Sequence, residues 1–211
     1  MIALNFVNKL QKRKALNDIQ LIEFGPGRGT LMSDMVRTFQ AFPQIMNKLK
    51  RCALIEVSPH LKEIQKRSLS LFPGIEFEWF SDCNQIKLMK GSTPLFVARE
   101  FFDALPVHVF SRSESGWREI LVDFKETDSA TVSFGLLEAE TKNVELLRVK
   151  ENFSDWPIGR TLELSPESWA IAHRIRQMLN EADGGEGIII DYGQFGPSQN
   201  SLRVFCNHFF Y

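Results

Sequence analysis

Short apolar runs alternate along this chain with segments whose apolar positions recur every three to four residues, and that alternation predicts an α/β protein. Ile2, Phe6 and Leu10 stand at helical spacing and predict an opening helix. Residues 19–24 form a compact apolar run that stops at Gly25, as a buried parallel strand does. From Thr30 onward Leu31, Met35 and Phe39, with Met32 and Val36 beside them, repeat every four positions until Pro43, which predicts a second helix. Residues 53–57 predict a second buried strand. Ser58-Pro59 then starts a helix, with Ser as N-cap and Pro at the first helical position, that runs to Pro73-Gly74. Ile75, Phe77 and Trp79 alternate with Glu76 and Glu78, a half-buried strand stopping at Ser81-Asp82. A fourth strand is expected at residues 95–98.

After Asp103 the pattern changes. Residues 107–110, 117–124 and 131–137 are strand-like runs separated by short polar turns, so residues 107–164 read as an antiparallel meander inserted into the parallel sheet or hung beside it. Helical spacing returns after Ser165-Pro166-Glu167, where Ile171, Ile175, Met178, Leu179 and Ala182 give a buried stripe closed by Gly184-Gly185. Residues 187–193 predict a fifth buried strand carrying Asp191. Strands alternating with helices imply a doubly wound α/β sheet with right-handed crossovers. The 211 residues suit a single domain carrying the β-rich insertion.

Composition works here by exclusion. An apolar content of 44% with 24% charged residues rules out a disordered chain, and a net charge of -1 removes any global electrostatic argument for a nucleic-acid partner. No apolar stretch approaches the ~20 residues of a membrane-spanning helix. Cys52, Cys83 and Cys206 form neither a CxxC pair nor an even disulfide framework; they read as packing thiols of a reducing compartment. Lys9, Lys12, Arg13 and Lys14 raise a transit-peptide reading, but the helical apolar spacing and the direct run into a strand favour a helix of the fold. His60, His108, His173 and His208 lack metal-ligand spacing, and Cys206-x-His208 supplies only two ligands, so no metal site is expected. A G-x-S-x-G hydrolase elbow is absent. The 18 Phe residues fall mostly at core positions.

Candidate chemistry collects at strand ends, where open α/β sheets bind their ligands. Glu23, Glu56, Asp82, Glu100 and Asp191 each terminate or closely follow an expected strand. A solvated loop acid is the competing reading of each, and of Asp82 above all. The first turn reads Glu23-Phe24-Gly25-Pro26-Gly27-Arg28-Gly29-Thr30. Glycine permits positive φ and a close backbone approach, and the following helix offers free N–H groups to an anion. A P-loop would need Lys-Ser or Lys-Thr after the last glycine, and a dinucleotide fingerprint would need G-x-G-x-x-G; neither spacing is present. The acid-x-Gly-x-Gly-x-Gly arrangement resembles motif I of class I methyltransferases that use S-adenosyl-L-methionine. That resemblance sets Glu23 near the methionine amino group and Glu56 on the ribose hydroxyls, and assigns Gly25, Gly27, Gly29 and Asp82 to the cofactor as well.

Longer strings narrow the family. Glu-Phe-Gly-Pro-Gly-Arg-Gly-Thr-Leu at 23–31, Glu-Val-Ser-Pro-His-Leu at 56–61, Glu-Phe-Phe-Asp-Ala-Leu-Pro-Val-His at 100–108, Gly-Trp-Arg-Glu at 116–119, Asp-Tyr-Gly at 191–193 and Leu-Arg-Val-Phe-Cys-Asn-His at 202–208 together resemble the MidA family. The resemblance spans nearly the whole chain. It implies a Rossmann-like class I methyltransferase sheet with an inserted antiparallel β segment, S-adenosyl-L-methionine as cofactor, and a protein arginine as methyl acceptor. Mitochondrial members serve respiratory complex I assembly, so a complex I subunit as protein partner and the mitochondrial matrix are implied; a bacterial relative would be cytoplasmic. Family members carry further segments at both ends, which implies that this chain is a splice form or a fragment truncated at its C-terminus. They also carry Asn or His where this chain has Arg99.

A guanidinium arrives charged and poorly nucleophilic, so carboxylates must fix its planar fork. Glu100 and Asp103 are the catalytic candidates on the resemblance, with Asp191 as a third. The alternative is a chain that binds a partner or the cofactor without catalysing transfer.

Overall fold

The computed structural model describes residues 1–13, 15–125, 133–139, 142–143, 146, 153–182, 184–193, 205–206 and 209–210. It divides into two compact units, residues 1–105 with 167–192 and residues 106–166 with 193–211. The elements of the first are α1 (Ile2–Gln11), β1 (Ile19–Phe24), α2 (Thr30–Gln40), α3 (Pro43–Met46), β2 (Leu49–Ile55), α4 (Pro59–Leu69), β3 (Glu76–Phe80), β4 (Thr93–Arg99), and, after the second unit's strands β5 (His108–Ser113), β6 (Gly116–Lys125), β7 (Ser133–Ala139) and β8 (Thr161–Leu164), α5 (Pro166–Glu181) and β9 (Glu186–Ile190).

In the first unit five parallel strands lie in the order β3-β2-β1-β4-β9. Period-two alternation divides their side chains between two cores. Ile19, Leu21, Cys52, Leu54, Leu95 and Val97 pack with α1 and α2 through Phe6, Leu10, Met35 and Phe39. Ile22, Phe24, Ala53, Ile55, Phe96 and Ala98 pack on the other face with Ile175 and Met178 of α5. The stripes expected for α1 and α2 are buried save the half-buried Ile2 and Leu31, whereas on α5 only Ile175 and Met178 are buried, Ile171 and Leu179 are half-buried, and Ala182 lies past the helix end. Ser58 caps α4 as expected, its hydroxyl accepting from Leu61 N–H at 3.3 Å.

Two expectations require correction, and one short element was not foreseen. The second strand begins at Leu49 and stops at Ile55, so Glu56 and Val57 lie beyond it. Its first half was hidden because Arg51 carries its charge to Glu76 and Glu78 on β3 at 3.2 and 3.1 Å, giving a strand with a polar entrance. The fifth strand stops at Ile190, so Asp191 lies just past it, and it is not buried: β9 pairs only with β4 among the described residues, and Ile189 and Ile190 are 57% and 40% exposed. An apolar run fixes strand character but not the number of covered faces. The short helix α3 was not anticipated; four residues are too few for a periodic signal.

The second unit holds an antiparallel sheet in the order β7-β6-β5-β8 and a two-stranded ribbon of β10 (Phe205–Cys206) and β11 (Phe209–Phe210). Strands stand at the first two expected runs and at the third from Ser133 on, residues 131–132 lying outside the described residues, and a fourth strand, β8, pairs with β5; its Glu163 interrupts the apolar pattern. Trp117, Phe153 and Trp156 pack mutually with centroids 5.3–6.3 Å apart. His208 and most of the string at 202–208 lie outside the described residues. Among the described residues, no helix is long and apolar enough to cross a membrane, and no cluster of three His, Cys, Asp or Glu is placed to hold a metal.

Candidate functional site

Strand register builds the site. Phe24 pairs with Ile55 on one side and with Ala98 on the other, Ile55 pairs with Phe80, and Arg99 pairs with Ile190. The residues just past these pairs therefore emerge in one row at the carboxyl edge of the sheet. Gly25, Glu56 and Glu100 continue the ladders by donating their N–H groups to Ile55, Phe80 and Ile190 carbonyls at 3.1, 2.9 and 2.9 Å.

A cleft of about 550 Å³ opens at this edge, lined by Gly25, Glu56, Asp82, Cys83, Phe101 and Ile171 among others. All three turn glycines have positive φ: 62° at Gly25, 53° at Gly27 and 79° at Gly29. Each is needed for a different reason. A Cβ on Gly25 would stand 2.8 Å from Phe101 Cδ2, and one on Gly29 would stand 3.2 Å from Gln65 Cγ; one on Gly27 would meet nothing within 4 Å. Gly25 and Gly29 thus let side chains close on the turn, whereas Gly27 leaves open space beside a half-buried backbone. That combination of left-handed backbone and free room is what a ligand approaching the main chain requires.

The acids differ in how they are held. Glu56 is 8% exposed, its Oε1 accepts from Ser58 N–H at 2.8 Å and its Oε2 from Gln65 Nε2 at 3.3 Å, and it lines the cleft. Glu23 is 3% exposed and its Oε2 has no hydrogen-bond partner. Burial pushes its pKa from the ordinary 4.5 to about 8, against a smaller opposing effect of the Met32 backbone N–H. Asp82 is exposed on the cleft rim, where Oδ1 accepts from the backbone and side-chain nitrogens of Asn84 at 2.8 and 2.9 Å.

Glu100, Asp103 and Asp191 come together at the ends of β4 and β9. Asp191 Oδ2 accepts from Asp103 N–H at 3.3 Å and Oδ1 from Tyr192 N–H at 2.9 Å. The Tyr192 phenol is held above its usual pKa by its hydrogen bond to Asp103 and then by the charges of Asp103, Asp191 and Glu100. Glu100 is the single non-glycine at positive φ among the described residues, 47°, and its Oε1 accepts from Arg99 Nη2 at 2.8 Å. The stretch carrying Glu100 and Asp103 also lines the cleft through Phe101, Ala104 and Leu105.

Sequence reasoning missed Gln65, Cys83 and Tyr192. Gln65 carried a readable signal, since it interrupts the i, i+4 stripe Leu61, Gln65, Leu69 on α4 and is fully buried there. Cys83 is a packing thiol on one side and cleft wall on the other, with its pKa raised first by burial.

The residues present fit an S-adenosyl group: an orphaned carboxyl oxygen on Glu23, open space at Gly27 and a carboxylate on Glu56 with lone pairs left toward the cleft. A mitochondrial protein arginine methyltransferase, NDUFAF7 of Danio rerio, is 31% identical over 209 residues, 90% of this chain and 47% of its own length. Its human counterpart is 29% identical over 231 residues, 99% of this chain and 49% of its own. A Burkholderia thailandensis protein solved with S-adenosyl-homocysteine bound shares the fold, with a TM-score of 0.62 at 20% identity, covering 92% of this chain and 45% of that one. The chain spans about half the length of the relatives it matches. A family model described as "Putative S-adenosyl-L-methionine-dependent methyltransferase" matches residues 1–211. With the glycine turn, the paired Glu56 and the 3-2-1-4 core of its sheet in view, the chain belongs to that methyltransferase family.

Proposed function

We propose that this chain binds S-adenosyl-L-methionine across the ends of β1 and β2 and serves methyl transfer to an arginine of a protein, a respiratory complex I subunit in the mitochondrial matrix. The observation that carries the reading is a buried, doubly hydrogen-bonded Glu56 lining one cleft with Gly25 of the glycine turn, whose open, left-handed Gly27 is tied to Glu56 through Gln65. Relatives named as mitochondrial protein arginine methyltransferases support the acceptor and the compartment, and the MidA resemblance supports the complex I partner.

The cofactor supplies a methyl group on a sulfonium, so the chain's own task is to orient, desolvate and hold charge. In this reading Glu56 accepts from the ribose hydroxyls, Glu23 faces the amino group, Gly25, Gly27 and Gly29 shape the turn, and Asp82 closes the rim. Glu100, Asp103 and Asp191 offer carboxylates to the planar guanidinium, which only ionised acceptors can fix in a fork geometry.

Calorimetry with S-adenosyl-L-methionine, followed by transfer of a labelled methyl to arginine and to lysine peptides, tests both halves. Saturable binding with label on arginine is expected. Glu100→Gln should keep the affinity and lower transfer, because an amide preserves shape and loses the charge. No binding overturns the cofactor assignment; label on lysine overturns the acceptor.

A further inference from the structure

α4 turns a polar side chain inward beneath the glycine turn. Gln65 is fully buried, and its amide is fixed by what surrounds it. Trp79 Nε1–H lies 2.8 Å from Gln65 Oε1, and an indole N–H can only donate, so the amide oxygen must face Trp79. Both amide hydrogens are then committed to the other side, to the Gly27 carbonyl at 2.6 Å and to Glu56 Oε2 at 3.3 Å. Packing reinforces the hydrogen bonds: a Cβ on Gly29 would lie 3.5 Å from Gln65 Cα, so the turn rests directly on this residue.

One amide therefore ties together the turn that leaves room for a ligand, the carboxylate that lines the cleft, and β3. A freely rotating Glu56 would have to be frozen at the moment of binding, at a cost in side-chain entropy. With Ser58 N–H on one oxygen and Gln65 on the other, its plane is set beforehand. We propose that Gln65 is the positioning residue of the cofactor site, orienting Glu56 and the Gly27 carbonyl in one frame so that ribose recognition depends on a side chain that does not line the cleft. This rests on the cofactor reading above.

The experiment follows S-adenosylhomocysteine and its 2′-deoxyribose analogue by calorimetry from pH 5.5 to 8, on the parent chain and on Gln65→Glu and Trp79→Phe. Glutamate keeps an acceptor for Trp79 but loses both donors and sets a like charge against Glu56. Glu56 faces it at 3.3 Å, and Lys66 stands across the Trp79 ring at 5.9 Å from the centroid. Gln65→Glu should bind at least tenfold more weakly at pH 8 and recover relative to the parent as pH falls and the introduced carboxyl regains a donor. Its 2′-deoxy penalty at pH 8 should shrink. A merely structural role would lower melting temperature and affinity together at pH 8, both recovering at low pH, and would leave the 2′-deoxy penalty unchanged. Trp79→Phe, which frees the amide to flip, should weaken binding two- to fivefold, and it decides the matter if Gln65→Glu does not fold: unchanged affinity there overturns the proposal. A parent that binds while Gln65→Glu binds equally well overturns the proposal alone, whereas a parent that binds no S-adenosylhomocysteine removes the cofactor reading and the proposal with it.

Discussion

Glu56 and Glu100 both stand just past a parallel strand of the same sheet, yet they are held in opposite ways. Glu56 is nearly buried, with a fixed donor on each oxygen. Glu100 is about half exposed, sits at φ 47°, and shares its charge with an Arg99 that is as exposed as itself. Preorganised groups in a dry setting recognise one invariant ligand without rearranging. Exposed carboxylates keep their hydration and act strongly only once a partner desolvates them. A left-handed non-glycine costs on the order of 1 kcal/mol, and here the Glu100 N–H bond to the Ile190 carbonyl holds it in place. The difference matches the two proposed ligands: a cofactor that is always the same, and an arginine presented by another protein.

Breaking the preorganised side should give the largest effect. Gly27→Val puts a β-branched residue into a left-handed position and fills the open space beside the backbone. Loss of S-adenosyl-L-methionine binding beyond ~1000-fold is expected by calorimetry, about 4 kcal/mol. Gly74→Val is the control, since φ 85° imposes the same strain with nothing within 4 Å, between α4 and β3 and away from the glycine turn. If both variants lose stability and neither loses affinity, the turn is a bend and not a cradle.

Glu23→Gln sharpens the comparison through pH. The folded-state pKa of about 8 stands above the ordinary 4.5, so the folded chain holds this proton more tightly than the unfolded chain does. Its contribution to stability is therefore complete below pH 4.5 and declines as pH rises through 8. At ~1.4 kcal/mol per unit the decline amounts to a few kcal/mol. Urea melts of the cofactor-free protein at pH 5 and pH 9 should show Glu23→Gln indistinguishable from the parent at the lower pH and more stable by a few kcal/mol at the higher. The same variant should bind S-adenosyl-L-methionine more weakly, because an amide cannot offer a charge to an ammonium. A parent whose stability is flat across this window would show that Glu23 ionises freely.

Glu56→Ala should cost ~1.5–3 kcal/mol of cofactor affinity, as the loss of charge-assisted hydrogen bonds does. The 2′-deoxyribose analogue should lose less in the variant than in the parent. Equal losses would take Glu56 off the ribose.

The positions of the residues proposed for the cofactor were the more legible in the sequence, and the reason is physical. Its glycines, its strand-end acids and the Ser58-Pro59 cap act through local backbone geometry, which spacing records directly. The same holds for the cores of β1 and β4, where apolar runs and burial coincide. Gln65 was passed over because its importance lies in contacts with Trp79 and Gly27, 14 and 38 residues away in sequence. The exposure of Ile189 and Ile190 was invisible because hydrophobicity does not say whether a strand has two neighbours or one. Glu100 and Asp191 could be read as strand-end acids, but Asp103 and the catalytic role of all three came only from the resemblance, and their gathering around Tyr192 is a tertiary fact.

The smallest expected effect tests the exposed side. Arg99 already sets a guanidinium group on Glu100 Oε1 at 2.8 Å, the same chemistry that the proposed acceptor would bring. An incoming arginine must displace it or share the carboxylate. Both partners are more than half exposed, so the pair is worth no more than ~1 kcal/mol, and its removal can change acceptor affinity by about fivefold at most. Arg99→Asn should lower KM for an arginine peptide by two- to fivefold, leave S-adenosyl-L-methionine affinity unchanged, and lose its advantage in high salt, where the ion pair is screened in the parent as well. Such selectivity for KM over cofactor affinity is what separates competition at Glu100 from a general change in the site. If KM rises instead, Arg99 helps to hold the acceptor through another group, and Glu100 is then occupied by its neighbour in the productive state; if nothing moves, the guanidinium of the substrate does not reach Glu100, and Asp103 and Asp191 are left as the carboxylates to test.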